Sequence, residues 1–159
     1  MKRKIIGILG VLLIVAVAWM VYHSVKGLYR KQSIQEKQSD LSKMCNELGH
    51  SDFRIKSSTI LIFFNSECEH CRWEVEEISH KIDQFSQHQL LLASFEPKHE
   101  AITFLDQYGL SNHYIKSEPE KVMEAFTGAL PQTLIYQNGK LVKHFKGEVK
   151  TEAILESLR

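Results

Sequence analysis

Two cysteines three positions apart, Cys68 and Cys71, are the residues of this chain best suited to chemistry. They follow an uninterrupted apolar run, residues 59–64, which is typical of a strand buried on both faces. The residues after them have the apolar spacing of a helix. Free backbone N–H groups and a partial positive charge at a helix N-terminus stabilise a thiolate, the species that attacks a disulfide. The pattern therefore predicts a redox dithiol, with Cys68 as nucleophile and Cys71 as resolving thiol.

Other uses of a Cys-x-x-Cys pair fit less well. A structural zinc site usually needs a second pair of ligands, and Cys45 with His50 is a poor substitute. Haem attachment requires histidine after the second cysteine, where Arg72 stands. Two inert buried thiols remain an alternative. The dithiol reading requires no metal and no organic cofactor.

His70 lies between the two cysteines and is a candidate for tuning them. Its cationic form would favour a neighbouring thiolate and make the couple more oxidising. Glu67 and Glu69 act in the opposite direction. An exposed histidine without a role is the alternative, and the net effect stays open.

The chain begins with a basic segment followed by an apolar one. Residues 5–22 are 18 consecutive residues without a formal charge, and a helix of that length spans about 27 Å, close to the hydrocarbon core of a bilayer. Basic residues 2–4 predict a cytoplasmic N-terminus and export of the remainder. A signal peptide cleaved near residues 16–18 is the alternative, and it exports the same domain. We expect a basic N-terminus (1–4), a transmembrane helix (5–23), a tether (24–50) and one domain (51–159).

The exported part has the element pattern of an α/β domain. Asn138-Gly139 between two apolar runs is a strong hairpin signal, and Thr151 is a candidate N-cap. The predicted order is strand 59–64, helix 68–86, strand 89–95, helix 100–108, short strand 113–116, helix 119–126, strands 132–136 and 141–145, and helix 151–158. Such an order gives a mixed sheet covered by helices.

Charge and cysteine content exclude two further classes of protein. The 159 residues carry a formal net charge of +1, which offers no electrostatic reason to bind nucleic acid. Three cysteines are too few for a disulfide-stapled small protein. Cys45 is either a free structural thiol or a third redox partner.

Residues 63–74 and 129–133, within a region of similarity from 53 to 158, resemble the thioredoxin superfamily, in particular the TlpA/ResA-like membrane-tethered thioredoxins of bacteria. The resemblance implies a three-layer sandwich in which Glu74 lies near the dithiol and tunes its protonation. It also implies that Pro131 is a cis-proline facing the dithiol, and that the backbone of Leu130 pairs with substrate.

The resemblance further implies a function and a location. The domain would exchange disulfides with exported thiol- or disulfide-containing proteins, from outside a single-pass bacterial membrane anchor, and a membrane electron donor would re-reduce it. A reductant is the favoured direction; an oxidant or isomerase, or a non-catalytic protein- or metal-binding module, is the alternative. Departures from thioredoxins leave the reduction potential open, since Glu67 replaces a tryptophan, Ile62 an aspartate and Glu76 a proline.

Overall fold

The computed structural model describes residues 2–49, 58–115 and 117–158, and of residues 2–9 and 11 it describes the backbone alone. Its elements are α1 (Lys2–Gln38), α2 (Leu41–Glu47), β1 (Ser58–Phe64), α3 (Glu69–His80), β2 (Gln89–Ser94), α4 (Lys98–Asp106), α5 (Pro119–Ala125), β3 (Gln132–Gln137), β4 (Lys140–Lys146) and α6 (Thr151–Glu156). Short 3₁₀ turns occupy Ile82–Phe85 and Ser111–His113.

The four strands form one mixed sheet in the order β2-β1-β3-β4. Strand β1 is parallel to β2 and antiparallel to β3, and β3 is antiparallel to β4. All seven residues of β1 are buried, as the apolar run predicts for a central strand. Asn138 and Gly139 both have positive φ, as a two-residue hairpin turn between β3 and β4 requires.

Helices cover both faces of the sheet. Alternate residues of β1 point to opposite faces and therefore pack against different helices. Ile60, Ile62 and Phe64 pack with residues of α3, α4 and α6. Leu61 and Phe63 pack with residues of α2 and α5. The predicted α/β three-layer sandwich is therefore confirmed.

Three local predictions were wrong. The helix expected over residues 68–86 ends at His80, because Lys81 leaves helical geometry (φ −121°, ψ 21°) and a 3₁₀ turn follows. The strand expected at 113–116 is a single bridge between Tyr114 and Leu92, and residue 116 lies outside the described residues. Lys150, and not Thr151, occupies the N-cap of α6; the Thr151 hydroxyl is buried without a hydrogen-bond partner among the described residues.

The chain divides into two units, residues 1–35 and residues 36–159. The first unit contains most of α1. By length and composition, the described stretch Leu12–Gln38 is long and apolar enough to cross a membrane. A signal sequence meets the same criteria. The described side chains do not include those of residues 5–9 and 11 of the predicted span, nor those of the basic residues 2–4 before it. The membrane anchor therefore stays a prediction.

The second unit begins before the domain boundary expected at residue 51. Helix α2 buries Leu41 and Met44 against the sheet, and its C-cap residue Leu48 is buried on the same side, at a spacing that places the three on one face. The Leu41 N–H donates to the carbonyl of Gly139 (2.8 Å) and so joins this segment to the hairpin turn. Residues 36–48 are therefore part of the compact unit rather than of the tether expected over residues 24–50, and residues 50–57 lie outside the described residues.

Candidate active site

Cys68 lies at the junction between β1 and α3, where a short turn separates the strand from the helix. The Asn65 carbonyl accepts from the Cys68 N–H (3.2 Å), and the Asn65 side chain accepts from the Glu67 N–H (2.9 Å). These bonds end the strand and bring Cys68 to the N-cap of α3, in extended geometry (φ −80°, ψ 116°). The turn thus places the thiol where the first helical N–H groups are free.

The Cys68 sulfur lies between two backbone groups from different parts of the chain. Its Sγ accepts from the Cys71 N–H (3.4 Å) and donates to the carbonyl oxygen of Leu130 (3.8 Å). Cys68 is partly exposed, Cys71 is fully buried, and both are free thiols. An accessible first sulfur with a second one turn deeper is the arrangement that dithiol–disulfide exchange needs.

Glu74 is a residue of α3 and its side chain is buried, although the carboxylates of a surface helix are usually exposed. Its Oε1 accepts from the Thr133 hydroxyl (2.5 Å), and its Oε2 accepts from the Val149 N–H (3.1 Å). Burial raises the pKa of Glu74 to about 7, although both hydrogen bonds lower it, and the nearby Glu148 carboxylate raises it slightly. Burial therefore brings the pKa of this carboxyl close to neutrality.

Burial also dominates the protonation of Cys71. It raises the pKa of Cys71 well above the usual range, and the neighbouring Cys68 and Glu74 add to the rise. Burial thus favours the neutral thiol form of Cys71.

His70 points away from the core and is exposed. Its Nδ1 lies 2.7 Å from Oε2 of Glu148. A protonated His70 would therefore have a carboxylate as its immediate neighbour. This contact weakens the influence that a cation between the cysteines would have on the thiols.

The Leu130–Pro131 peptide bond is cis. Pro131 is buried, and the residue before it contacts Cys68 Sγ through its carbonyl. The residue after it, Gln132, is fully buried and organises the preceding loop. Its Nε2 donates to the carbonyls of Thr127 (2.9 Å) and Ala129 (3.0 Å), and its Oε1 lies 3.0 Å from His144 Nε2. Gln132 thereby fixes the segment that carries the Leu130 carbonyl.

The structure brings Cys68, Cys71, Glu74 and the Leu130–Pro131 pair together, while His70 lies at the rim. Cys45 is elsewhere, in the core on the sheet face opposite Cys71, and burial raises its pKa to about 11. This position favours the structural-thiol interpretation. Among the described residues, no group of three or more His, Cys, Asp or Glu side chains could hold a metal ion.

Sequence reasoning missed Gln132, Glu96 and Glu148. Glu96 is buried and binds Ser66 in the turn before Cys68. One signal was available for it, since an acidic residue two positions after an apolar strand is a candidate for the site edge. Glu148 gave no comparable signal, because its partner His70 is 78 residues away in the chain. Gln132 gave none either, although its partners Thr127 and Ala129 are only 5 and 3 residues away.

Comparisons with known proteins bear on the fold. No family model matches the sequence, and no curated protein matches it. Among solved structures, StoA from Bacillus subtilis is similar, with a TM-score of 0.56 and 19% identity over 66% of this chain and 85% of that one.

A putative thioredoxin from Neisseria meningitidis has a TM-score of 0.55 and 19% identity, covering 65% of this chain and 73% of that one. A thio-disulfide isomerase from Thermus thermophilus has a TM-score of 0.53 and 22% identity, covering 65% of this chain and 78% of that one. The fold of this chain is thioredoxin-like.

Proposed function

We propose that this chain is a membrane-anchored thiol–disulfide oxidoreductase that reduces exported proteins through Cys68 and Cys71. One observation carries the proposal: a partly exposed cysteine at the N-cap of α3 lies next to the backbone of a cis-proline loop, with a buried thiol one turn deeper. Solved structures of thioredoxin-like proteins support the same reading through their fold.

The reaction follows from the positions of the two sulfurs. The Cys68 thiolate attacks a substrate disulfide and forms a mixed disulfide, and the departing substrate sulfur takes up a proton. Cys71 loses its proton and attacks Cys68 Sγ, which releases the second substrate thiol. Two electrons and two protons pass to the substrate, and the enzyme is left with a Cys68–Cys71 disulfide.

Glu74 and Leu130 have supporting roles in this mechanism. Glu74, with its pKa near 7, accepts the proton of Cys71 during resolution. The backbone at Leu130, whose carbonyl already contacts Cys68 Sγ, pairs with the substrate chain next to its reacting cysteine. His70 lies at the rim and has a tuning role at most.

Electrostatics favour the reducing direction. A strong oxidant is one whose reduced form is stabilised, typically as a thiolate. Here Glu148 faces His70, the basic side chain between the cysteines. This pairing reduces the stabilisation that a cation would give a thiolate at Cys68, which favours a low reduction potential. The oxidised protein would then be re-reduced by a membrane electron donor, at the outer side of a bacterial membrane.

Two measurements on the full chain in detergent micelles test this function. We expect a Cys68–Cys71 reduction potential near ~−270 mV, whereas a value near ~−120 mV would indicate an oxidant. We also expect Cys71→Ser to accumulate a mixed disulfide with exported proteins, while Cys68→Ser traps none. Cys45→Ser, added to the Cys71→Ser variant, is the matched control. Cys45 is buried in the core on the opposite face of the sheet, so its replacement should leave trapping unchanged. A pair that never cycles, with partners retained by Cys68→Ser, would indicate a binding module instead.

A further inference from the structure

Glu96 is a buried carboxylate outside the machinery described so far. It follows β2, and both of its oxygens accept hydrogen bonds. Oε2 accepts from the Ser66 N–H (2.8 Å) and from the Ser94 hydroxyl (2.7 Å), and Oε1 accepts from the Ser66 hydroxyl. No Lys, Arg or His of the described residues forms an ion pair with it. Two of its three donors therefore belong to one residue of the turn before Cys68.

Ser66 is the middle of that turn. Asn65 accepts from the Cys68 N–H, and its side chain accepts from the Glu67 N–H, so the turn fixes the backbone at the helix N-cap. Glu96 joins the centre of this turn to the end of the neighbouring strand, 30 residues away in the chain. The adjoining strand end is itself stiffened, because Ser94 Oγ also accepts from the Glu96 N–H (3.1 Å).

We infer that Glu96 is a positioning residue for Cys68: it holds the turn that places the sulfur between the Cys71 N–H and the Leu130 carbonyl. The inference rests on the proposed dithiol chemistry. The buried hydroxyl of Tyr114 is a titratable group beside Glu96.

The hydrogen-bond pattern lets charge and position be separated. In Glu96→Gln, the amide oxygen can still accept from the Ser66 N–H and the Ser94 hydroxyl. The amide nitrogen can donate to Ser66 Oγ, because a serine hydroxyl serves as donor or acceptor. The turn is then kept and the charge removed. Glu96→Ala removes both, and Ser66→Ala removes one bond of the network without touching the carboxylate.

The test uses the full chain in micelles and two readouts for each variant. The first is the pH dependence of Cys68 alkylation by iodoacetamide in a Cys71→Ser background, followed on the Cys68 peptide by mass spectrometry. The second is the rate of insulin-disulfide reduction with both cysteines present. Glu100→Gln is the matched control, because Glu100 is an exposed acid on α4 that lines the same cleft as Ser66.

For Glu96→Gln, which keeps the hydrogen bonds of the turn, we expect a wild-type alkylation midpoint and a reduction rate changed by less than about twofold. For Glu96→Ala we expect reduction to slow by about tenfold, because misplacing a reacting group is costly. Ser66→Ala should slow reduction by less than Glu96→Ala does, and Glu100→Gln should match the wild type.

Loss of thermal stability in Glu96→Ala, with wild-type midpoint and reduction rate, would overturn the inference. If Glu96→Ala does not fold, a wild-type alkylation midpoint together with a wild-type reduction rate in Ser66→Ala overturns it. The two proposals fail separately. A wild-type chain that reduces no disulfide refutes the proposed function, while alkylation of Cys68 still reports on its placement.

Discussion

Replacing Glu74 by glutamine should stabilise the domain at alkaline pH. Glu74 has an ordinary pKa of 4.5, and its pKa in the folded chain is about 7, mainly through burial. The folded state therefore holds the Glu74 proton more tightly than the unfolded state does. The stability that this proton provides is fully present below pH ~4.5 and is lost as pH rises through ~7. At ~1.36 kcal/mol per pH unit, the loss amounts to roughly 3 kcal/mol above pH 8.

Glutamine can keep the geometry of the site while removing this titration. Its amide oxygen can accept from the Val149 N–H, and its nitrogen can donate to Thr133 Oγ1, because a threonine hydroxyl also accepts. We therefore expect the free energies of unfolding of Glu74→Gln and the wild type to agree near pH 5. At pH 8 the variant should be more stable by about 2–3 kcal/mol.

Urea unfolding of the reduced protein at pH 5 and pH 8, followed by tryptophan fluorescence, measures this difference. Glu76→Gln is the matched control, since Glu76 is an exposed glutamate on the same helix, and its stability should follow the wild type at both pH values. A wild-type stability that does not fall between pH 5 and pH 8, or a Glu74→Gln variant that falls equally, would show that the buried carboxylate is not the group responsible.

Two further predictions concern elements that the sequence alone did not place. Leu41→Ala should lower the free energy of unfolding of the domain by about 2–5 kcal/mol, because Leu41 is fully buried. Leu28→Ala, at an exposed leucine of α1, should have no effect, and equal effects in chemical denaturation would contradict the boundary at residue 36. Gln132→Leu should cost about 1–3 kcal/mol and slow disulfide reduction, because the loop carbonyls and His144 lose their partner. A thermal melt and an insulin assay check this, and a stable variant with unchanged rate would exclude Gln132 from loop positioning.

The main elements of the fold could be predicted because their signals are local. The continuous apolar run at 59–64 matches β1, and Asn138-Gly139 matches the observed turn between β3 and β4. The errors occurred where tertiary contacts override local pattern. Tyr114 was assigned to a strand, yet it makes one bridge to Leu92 and no ladder. Helix α2 was assigned to the tether, because it is only seven residues long and the polar residues around it make its apolar spacing hard to recognise.

The candidate site was predicted in part, and the division has the same cause. The spacing of Cys68 and Cys71 at the end of an apolar strand was enough to place both sulfurs in one helical turn. The resemblance to thioredoxins supplied Glu74 and Pro131. Neither source indicated that Glu74 is fully enclosed, because its partners Thr133 and Val149 come from β3 and the segment before α6, 59 and 75 residues away.

By itself the sequence determined the four observed strands, helices α3 to α6 and the position of the dithiol at a strand–helix junction, although it also predicted a strand at 113–116 and missed α2. These depend on periodicity and turn chemistry within a few residues. The tertiary structure alone decided the partners of three polar groups around the site: Glu96 against Ser66, Gln132 against His144, and Glu148 beside His70. The physical reason is that burial and hydrogen bonding of these groups depend on which strands are neighbours in the sheet, and a local pattern holds no record of that arrangement.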